Sequence, residues 1–332
     1  MSASSPLHHL LASIPRVSVA LTPTPVHPLE RLSKVLAQES PDIPLPRLWI
    51  KRDDLNGVAL GGNKLRKLEF LLADAQAQGC DVWLTAGAAQ SNHCRQTAAV
   101  GAMYGIPTHL CLRGPEPEPH TGNLLLNDFF GAILHFAEPG ASVTDQMKAE
   151  AERLRHAGHH PYAIPIGGSN AVGSVGYAAA VAELQAQGME PDYIVVATGS
   201  GGTQAGLEAG VRLAGMKTKV LGVGVADPDG ASWEEDVSLL ANGVAERLGQ
   251  PVRFAPQDVS CPLDWMGPRY GQPTEKGQAA RTLLGHSEGI LLDSVYSAKA
   301  FAALLDWVRA ARFAPSETVL FWHTGGAPSF FA

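Results

Sequence analysis

Short apolar runs alternate along the chain with longer stretches in which apolar and polar residues recur at helical spacing. The runs RLWIK (47–51), DVWLTAG (81–87), THLCLR (108–113), AILHFA (132–137), YAIPIG (162–167), YIVVATG (193–199), VLGVGV (220–225) and TVLFWHTGG (318–326) predict strands. Segments 64–79, 91–105, 143–157, 174–188 and 203–214 predict amphipathic helices between them. Strands that are apolar throughout, alternating with helices, imply an α/β fold whose parallel sheet is covered on both faces. GPEPEPH (114–120) reads as a surface loop, and no fixed-period repeat or low-complexity linker divides the chain.

Composition narrows the function classes. At 332 residues the chain can hold two domains or one large one. A formal net charge of -7 argues against a general nucleic-acid binder, which would show a basic face. No apolar run is long enough to span a bilayer. The first residues, MSASSPLHHLLASIPRVSVAL, lack a basic leader, so no secretory signal is expected. Cys80, Cys94, Cys111 and Cys261 have neither metal-ligand spacing nor the pattern of a disulfide framework. The reading is a reduced, cytoplasmic protein without a metal site.

Candidate chemistry lies where strands end and helices begin, the usual ligand position in open α/β sheets. TAGAAQSNHCRQTAA places Gln90, Ser91, Asn92 and His93 at a helix start, and ATGSGGTQAGL places Gly199, Ser200, Gly201, Gly202 and Thr203 at another. Exposed N–H groups there bind anions, and glycine lets a ligand approach the backbone. Tight turns also need glycine, so the cluster alone leaves both readings open. Two such sites suggest two anionic groups, such as a cofactor phosphate and a substrate carboxylate.

GGNKLRKLEF (61–70) carries Lys64, Arg66 and Lys67 into the first turns of a helix, where the dipole disfavours cations. Such a setting, with two cations nearby, is expected to disfavour the charged form of Lys64. A neutral amine forms an imine with a carbonyl, and a phosphorylated carbonyl compound describes pyridoxal 5'-phosphate.

The chain resembles the pyridoxal-phosphate family that contains D-cysteine desulfhydrase and 1-aminocyclopropane-1-carboxylate deaminase, and is most similar to the desulfhydrases. The likeness runs through IKRDDLNGVALGGNKLRKLEFLLADA, TAGAAQSNHCRQTAAV, IPIGGSNAVGSVGY, ATGSGGTQAGL, RYGQPT, GILLDSVY and HTGGAPSFF. It implies a tryptophan-synthase-β-like, fold-type-II enzyme of two α/β domains with the cofactor between them. The smaller domain would be inserted at 62–172, and 1–61 plus 173–332 would form the larger. A homodimer is the family expectation.

The resemblance further implies Lys64 as the Schiff-base lysine and Asn92 as partner of the cofactor's 3-oxygen. Gly199, Ser200, Gly201, Gly202 and Thr203 would hold the phosphate. Ser91, with the neighbouring N–H groups, Asn92 and His93, would bind the substrate carboxylate; His93 could equally be a packing residue. Tyr270 and Tyr296 would face the substrate. Ser297 matches the partner of the pyridine nitrogen, where the deaminases carry Glu; a hydroxyl there favours loss of a good β leaving group over opening of a cyclopropane.

The implied reaction is β-elimination on a small amino acid, D-cysteine first, giving pyruvate, sulfide and ammonia, with Lys64, or Ser91 assisted by a tyrosine, taking the α-proton. Arg269, where relatives carry a small residue, would suit the sulfonate of cysteate if it reached the site. The alternatives are therefore L-cysteate sulfo-lyase, the cyclopropane deaminase, and a pyridoxal-phosphate carrier without catalysis.

Overall fold

A computed structural model describes residues 6–332 of the chain. The strands are β1 (Val26–Pro28), β2 (Arg47–Arg52), β3 (Val82–Ala88), β4 (Thr108–Arg113), β5 (Ile133–Phe136), β6 (Pro161–Ala163), β7 (Tyr193–Thr198), β8 (Lys219–Gly224) and β9 (Thr318–His323). The helices are α1 (Pro6–Ala12), α2 (Glu30–Glu39), α3 (Lys64–Ala77), α4 (Asn92–Tyr104), α5 (Gly122–Phe129) and α6 (Val143–His156), then α7 (Ala171–Ala186), α8 (Gly202–Leu213), α9 (Trp233–Arg247), α10 (Glu275–Glu288) and α11 (Ser297–Arg309).

Two sheets form. One has the order β1-β2-β9-β7-β8 and the other β5-β4-β3-β6. All strand pairs are parallel except β1 with β2 at the edge of the first sheet. The central strands β7 and β9 are buried along nearly their whole length, which is why they read as unbroken apolar runs. α7, α8 and α9 pack on one face of the first sheet, and α10 and α11 on the other.

One predicted strand is much shorter than expected. β6 stops at Ala163, and residues 166–168 form a 3-10 turn in which Gly167 has φ +69. Pro165 cannot donate to a ladder, and the turn brings Gly167 against Ser200, where a Cβ would lie 2.2 Å from the Ser200 hydroxyl. α7 consequently begins three residues earlier than its apolar spacing suggests.

A buried ionic network anchors α3. Arg66 pairs with Asp53 at 2.8 Å and with Glu183 at 2.9 Å, and Lys51 meets Glu183 at 2.5 Å. Tyr177 and Trp322 add hydrogen bonds to Asp53 at 2.7 and 2.8 Å. Burial alone would raise the Asp53 pKa, but the Arg66 charge and these donors outweigh it and hold the carboxyl below its ordinary value. The network ties β2, α3, α7 and β9 together beneath the helix that begins with Lys64.

Candidate active site

The ends of β3, β7 and β9 and the starts of α3, α4 and α8 surround a cavity of about 320 Å³, within the range of small-ligand sites. Lys64, Ser91, Asn92, His93, Gly199, Ser200, Gly201, Thr203, Tyr270 and Tyr296 all line it. The same wall includes Arg113, Asp293 and Thr324, which sequence reasoning did not single out.

Lys64 owes its place to the glycines before it. Gly61 and Gly62 have φ +68 and +128, and a Cβ on either would collide with the Asp54 carbonyl oxygen or the Gln96 amide. The turn delivers the Lys64 amine to the cavity, where Nζ donates to Asn63 Oδ1 at 3.0 Å. Burial lowers the Lys64 pKa to about 8, with the Asp293 charge opposing and the Arg95 charge adding to the effect. The expectation that Arg66 and Lys67 supply this shift is corrected: Arg66 faces away into its ion pairs with Asp53 and Glu183. Lys67 is fully buried, and its Nζ donates to the Gly167 carbonyl and to Ser169 at 3.0 Å each.

The second glycine-rich junction is shaped by close approach. Gly201 has φ +72, and a Cβ there would point toward Leu240 and Trp233 of α9. A Cβ on Gly202, which begins α8, would meet the Ser169 and Ser174 hydroxyls at 2.7 and 2.8 Å. What remains is a cradle of backbone N–H groups at the α8 N-terminus, flanked by the Ser200 and Thr203 hydroxyls. Asn63 Nδ2 donates to Thr203 Oγ1 at 3.0 Å, so the lysine and the cradle share a partner.

At the start of α4, Ser91 Oγ accepts from the Cys94 N–H at 3.2 Å as a helix N-cap. Asn92 Oδ1 accepts from Asn123, which leaves its amide N–H₂ as a donor. His93 is buried, with Nε2 2.8 Å from Thr85 Oγ1. Because the Thr85 proton goes to the Ile164 carbonyl, His93 Nε2 is the donor. Burial, then the Lys64 and Lys67 charges, hold its pKa well below the usual histidine value, so the ring is neutral.

Tyr270 and Tyr296 share a short hydroxyl-to-hydroxyl hydrogen bond. Burial raises both pKa values, Tyr296 the more, so both phenols stay protonated. A Cβ on Gly199 would sit 2.9 Å from the Tyr296 ring, so only glycine admits that ring.

Gly202 and Ser297 are the two predicted site residues that do not line the cavity, and Ser297 departs further from its expected role. It is fully buried, is not among the residues lining the cavity, and donates its hydroxyl proton to Asp293 Oδ1 at 2.5 Å. Asp293 also accepts from the N–H groups of Val295, Tyr296 and Ser297. Thr324, which follows β9, is a lining residue that carries a hydroxyl. Arg269 is exposed and outside the cavity lining; the arginine on its wall is Arg113.

The donor set fits pyridoxal 5'-phosphate: an amine with a pKa near 8 for its aldehyde, an N–H cradle for its phosphate, and an amide donor on Asn92 for its ring oxygen. The comparisons with known proteins agree. The family model for pyridoxal-phosphate dependent enzymes matches residues 17–325. The chain is 42% identical to the D-cysteine desulfhydrase of Yersinia enterocolitica and 41% identical to that of Klebsiella pneumoniae, covering 98% and 97% of each chain. A crystal structure of an ACC deaminase homologue superposes with a TM-score of 0.88 at 35% identity, over 100% of this chain and 97% of that one. Threonine deaminase isoform 2 from Solanum lycopersicum, at 16% identity and a TM-score of 0.68, shares the fold.

Proposed function

The chain belongs to the family of pyridoxal-phosphate dependent enzymes, and we propose that it catalyses β-elimination on a small amino acid, with D-cysteine converted to pyruvate, sulfide and ammonia. The observation that carries this reading is one cavity wall that combines the Lys64 amine, the Ser91 hydroxyl, the Tyr270–Tyr296 pair and the α8 cradle. A carrier would need only the first and last of these. The cofactor, when bound, supplies the electron sink that stabilises a carbanion at the α-carbon.

The protein groups divide the remaining work. Lys64 would hold the resting cofactor and, once the substrate amine has taken its place there, its freed Nζ, oriented by Asn63, would accept the α-proton. Ser91 has no basic group hydrogen-bonded to its hydroxyl among the described residues, which favours Lys64 as the base and leaves Ser91 to bind the substrate carboxylate with the α4 N-terminus. Asn92 binds the ring oxygen, while His93, held by Thr85, shapes the wall. Gly199 to Thr203 hold the phosphate. Tyr270 and Tyr296, kept protonated by burial, present an O–H to the departing sulfur. Ser297 acts as a positioning residue through Asp293.

Residues 62–172 as an inserted lobe within a larger one, from 1–61 and 173–332, go with this reading; the four-stranded sheet draws all its strands from that interval. A cytoplasmic homodimer also goes with it, and four free cysteines are compatible with a reducing compartment. Cysteate is less well supported, since Arg269 lies away from the cavity.

An amino acid panel tests the proposal: both enantiomers of cysteine, L-cysteate, β-chloroalanine and the cyclopropane amino acid. D-cysteine is expected to yield pyruvate and sulfide in equal amounts. Turnover of cysteate or of the cyclopropane substrate in preference to D-cysteine would overturn it.

A further inference from the structure

Away from the active-site cavity, three side chains converge on the smaller sheet. His109 on β4 pairs with Ile133 of β5, and Cys111 pairs with His135. His109 and His135 are therefore diagonal neighbours on one face, and their rings lie edge to edge, with planes 15° apart and centroids 5.1 Å apart. Glu150 of α6 reaches the same point. His109 Nδ1 lies 2.9 Å from His135 Nε2 and 3.0 Å from Glu150 Oε1, and the third side of the triangle measures 3.6 Å.

One N–H on His109 Nδ1 can be shared between His135 Nε2 and Glu150 Oε1, while the 3.6 Å side is longer than a hydrogen bond. The lone pairs of His135 Nε2 and Glu150 Oε1 then face each other with no proton between them. A cation bound among the three atoms would replace that shared proton and take a lone pair from each. Tetrahedral zinc with bonds of about 2.0–2.2 Å separates its ligand atoms by about 3.3 Å, and the observed sides bracket that value.

We propose that His109, His135 and Glu150 form a binding site for a borderline divalent cation, Zn²⁺ being the representative, with a fourth position open to water. Imidazole and carboxylate donors suit such an ion. The His135 side chain is 26% exposed, which gives the ion access. Arg153 competes: its Nη2 sits 2.7 Å from Glu150 Oε1 and its Nε 2.8 Å from Oε2. An ion would displace the first contact and leave the second.

The site clamps β4, β5 and α6 together. It lies four residues before Arg113, the β4 residue on the active-site wall, or about 13 Å along the strand. Its role is to brace this lobe and not to take part in the reaction.

The test uses the full-length holoenzyme, stripped with a chelator and titrated with ZnCl₂ by calorimetry. One zinc per chain is expected. H135A, and independently E150Q should H135A fail to fold, should weaken binding about 10-fold or more, since even outer-shell partners of a metal contribute that much. R153A should tighten it. Co²⁺ in place of zinc should give a four-coordinate visible spectrum without a sulfur charge-transfer band, unchanged in C111S. The proposal is overturned if the wild type takes up no zinc, if H135A and E150Q bind it as the wild type does, or if C111S abolishes binding.

Discussion

Asn63 Nδ2 donates to Thr203 Oγ1 at 3.0 Å while Asn63 Oδ1 accepts from Lys64 Nζ. One amide thus sets the position of the reactive amine relative to the phosphate cradle. Asn63→Ala removes both bonds. It should lower kcat/KM for D-cysteine about 10-fold, equivalent to about 1.4 kcal/mol, and loosen the cofactor. Steady-state kinetics and cofactor content after dialysis measure the two effects. Unchanged values for both would show that the amide positions nothing.

The ionic network under α3 carries a stability prediction. Asp53→Ala takes from buried Arg66 one of its two carboxylate partners and leaves the Tyr177 hydroxyl and Trp322 N–H without their acceptor, and should cost about 3–5 kcal/mol. The pH dependence follows from the Asp53 pKa, which is lower in the folded protein than in the unfolded chain. Its contribution is complete above the ordinary carboxylate range and is lost as pH falls through the folded value. Denaturant melts at pH 7 and in acid should show the wild type and the variant converging as pH falls.

Because only a neutral amine attacks an aldehyde, cofactor capture should follow the protonation of Lys64. The rate of uptake by the cofactor-free protein should rise with pH, pass its midpoint near 8, and then level off. Stopped-flow absorbance across pH 6–10 records this. A midpoint near the ordinary lysine value would contradict the assigned burial.

Asp293 is saturated by the Val295, Tyr296 and Ser297 N–H groups and the Ser297 hydroxyl. Its carboxylate therefore has no lone pair left to offer a cofactor. Substrates with a good leaving group are favoured, and kcat/KM for D-cysteine should exceed that for the cyclopropane amino acid at least about 100-fold, the scale on which buried polar mismatches discriminate. Comparable efficiencies would sink the argument.

Much of the fold was legible because its parallel strands are buried on both faces and read as apolar runs. α11 was not: ten of the thirteen residues in SAKAFAALLDWVR are apolar or small, and only Asp306 and Arg309 near its end escape burial. Within the site, Lys64, Ser91 and the α8 cradle stand at strand-to-helix junctions that glycine marks. Asp293 looks like an ordinary loop acid until the chain folds four donors onto it. Arg113 and Thr324 are strand-end residues with no local mark. The expectation for Ser297 followed its place in a motif and missed that Asp293, four residues earlier, takes its proton. His109, His135 and Glu150 are separated by 26 and 15 positions and meet only through strand register and the packing of α6.

The central claim is that Lys64 carries the cofactor, and Lys67 is its natural rival. Burial, then the Lys64 charge, push the Lys67 pKa well below the usual value, so on basicity alone Lys67 would be the more reactive amine. Access decides otherwise: Lys64 lines the cavity, whereas Lys67 is enclosed by Gly167 and Ser169. Borohydride reduction of the holoenzyme followed by peptide mapping distinguishes them directly. The label should fall on Lys64, and Lys64→Ala should be neither labelled nor active. A label on Lys67 or Lys51 would contradict the account.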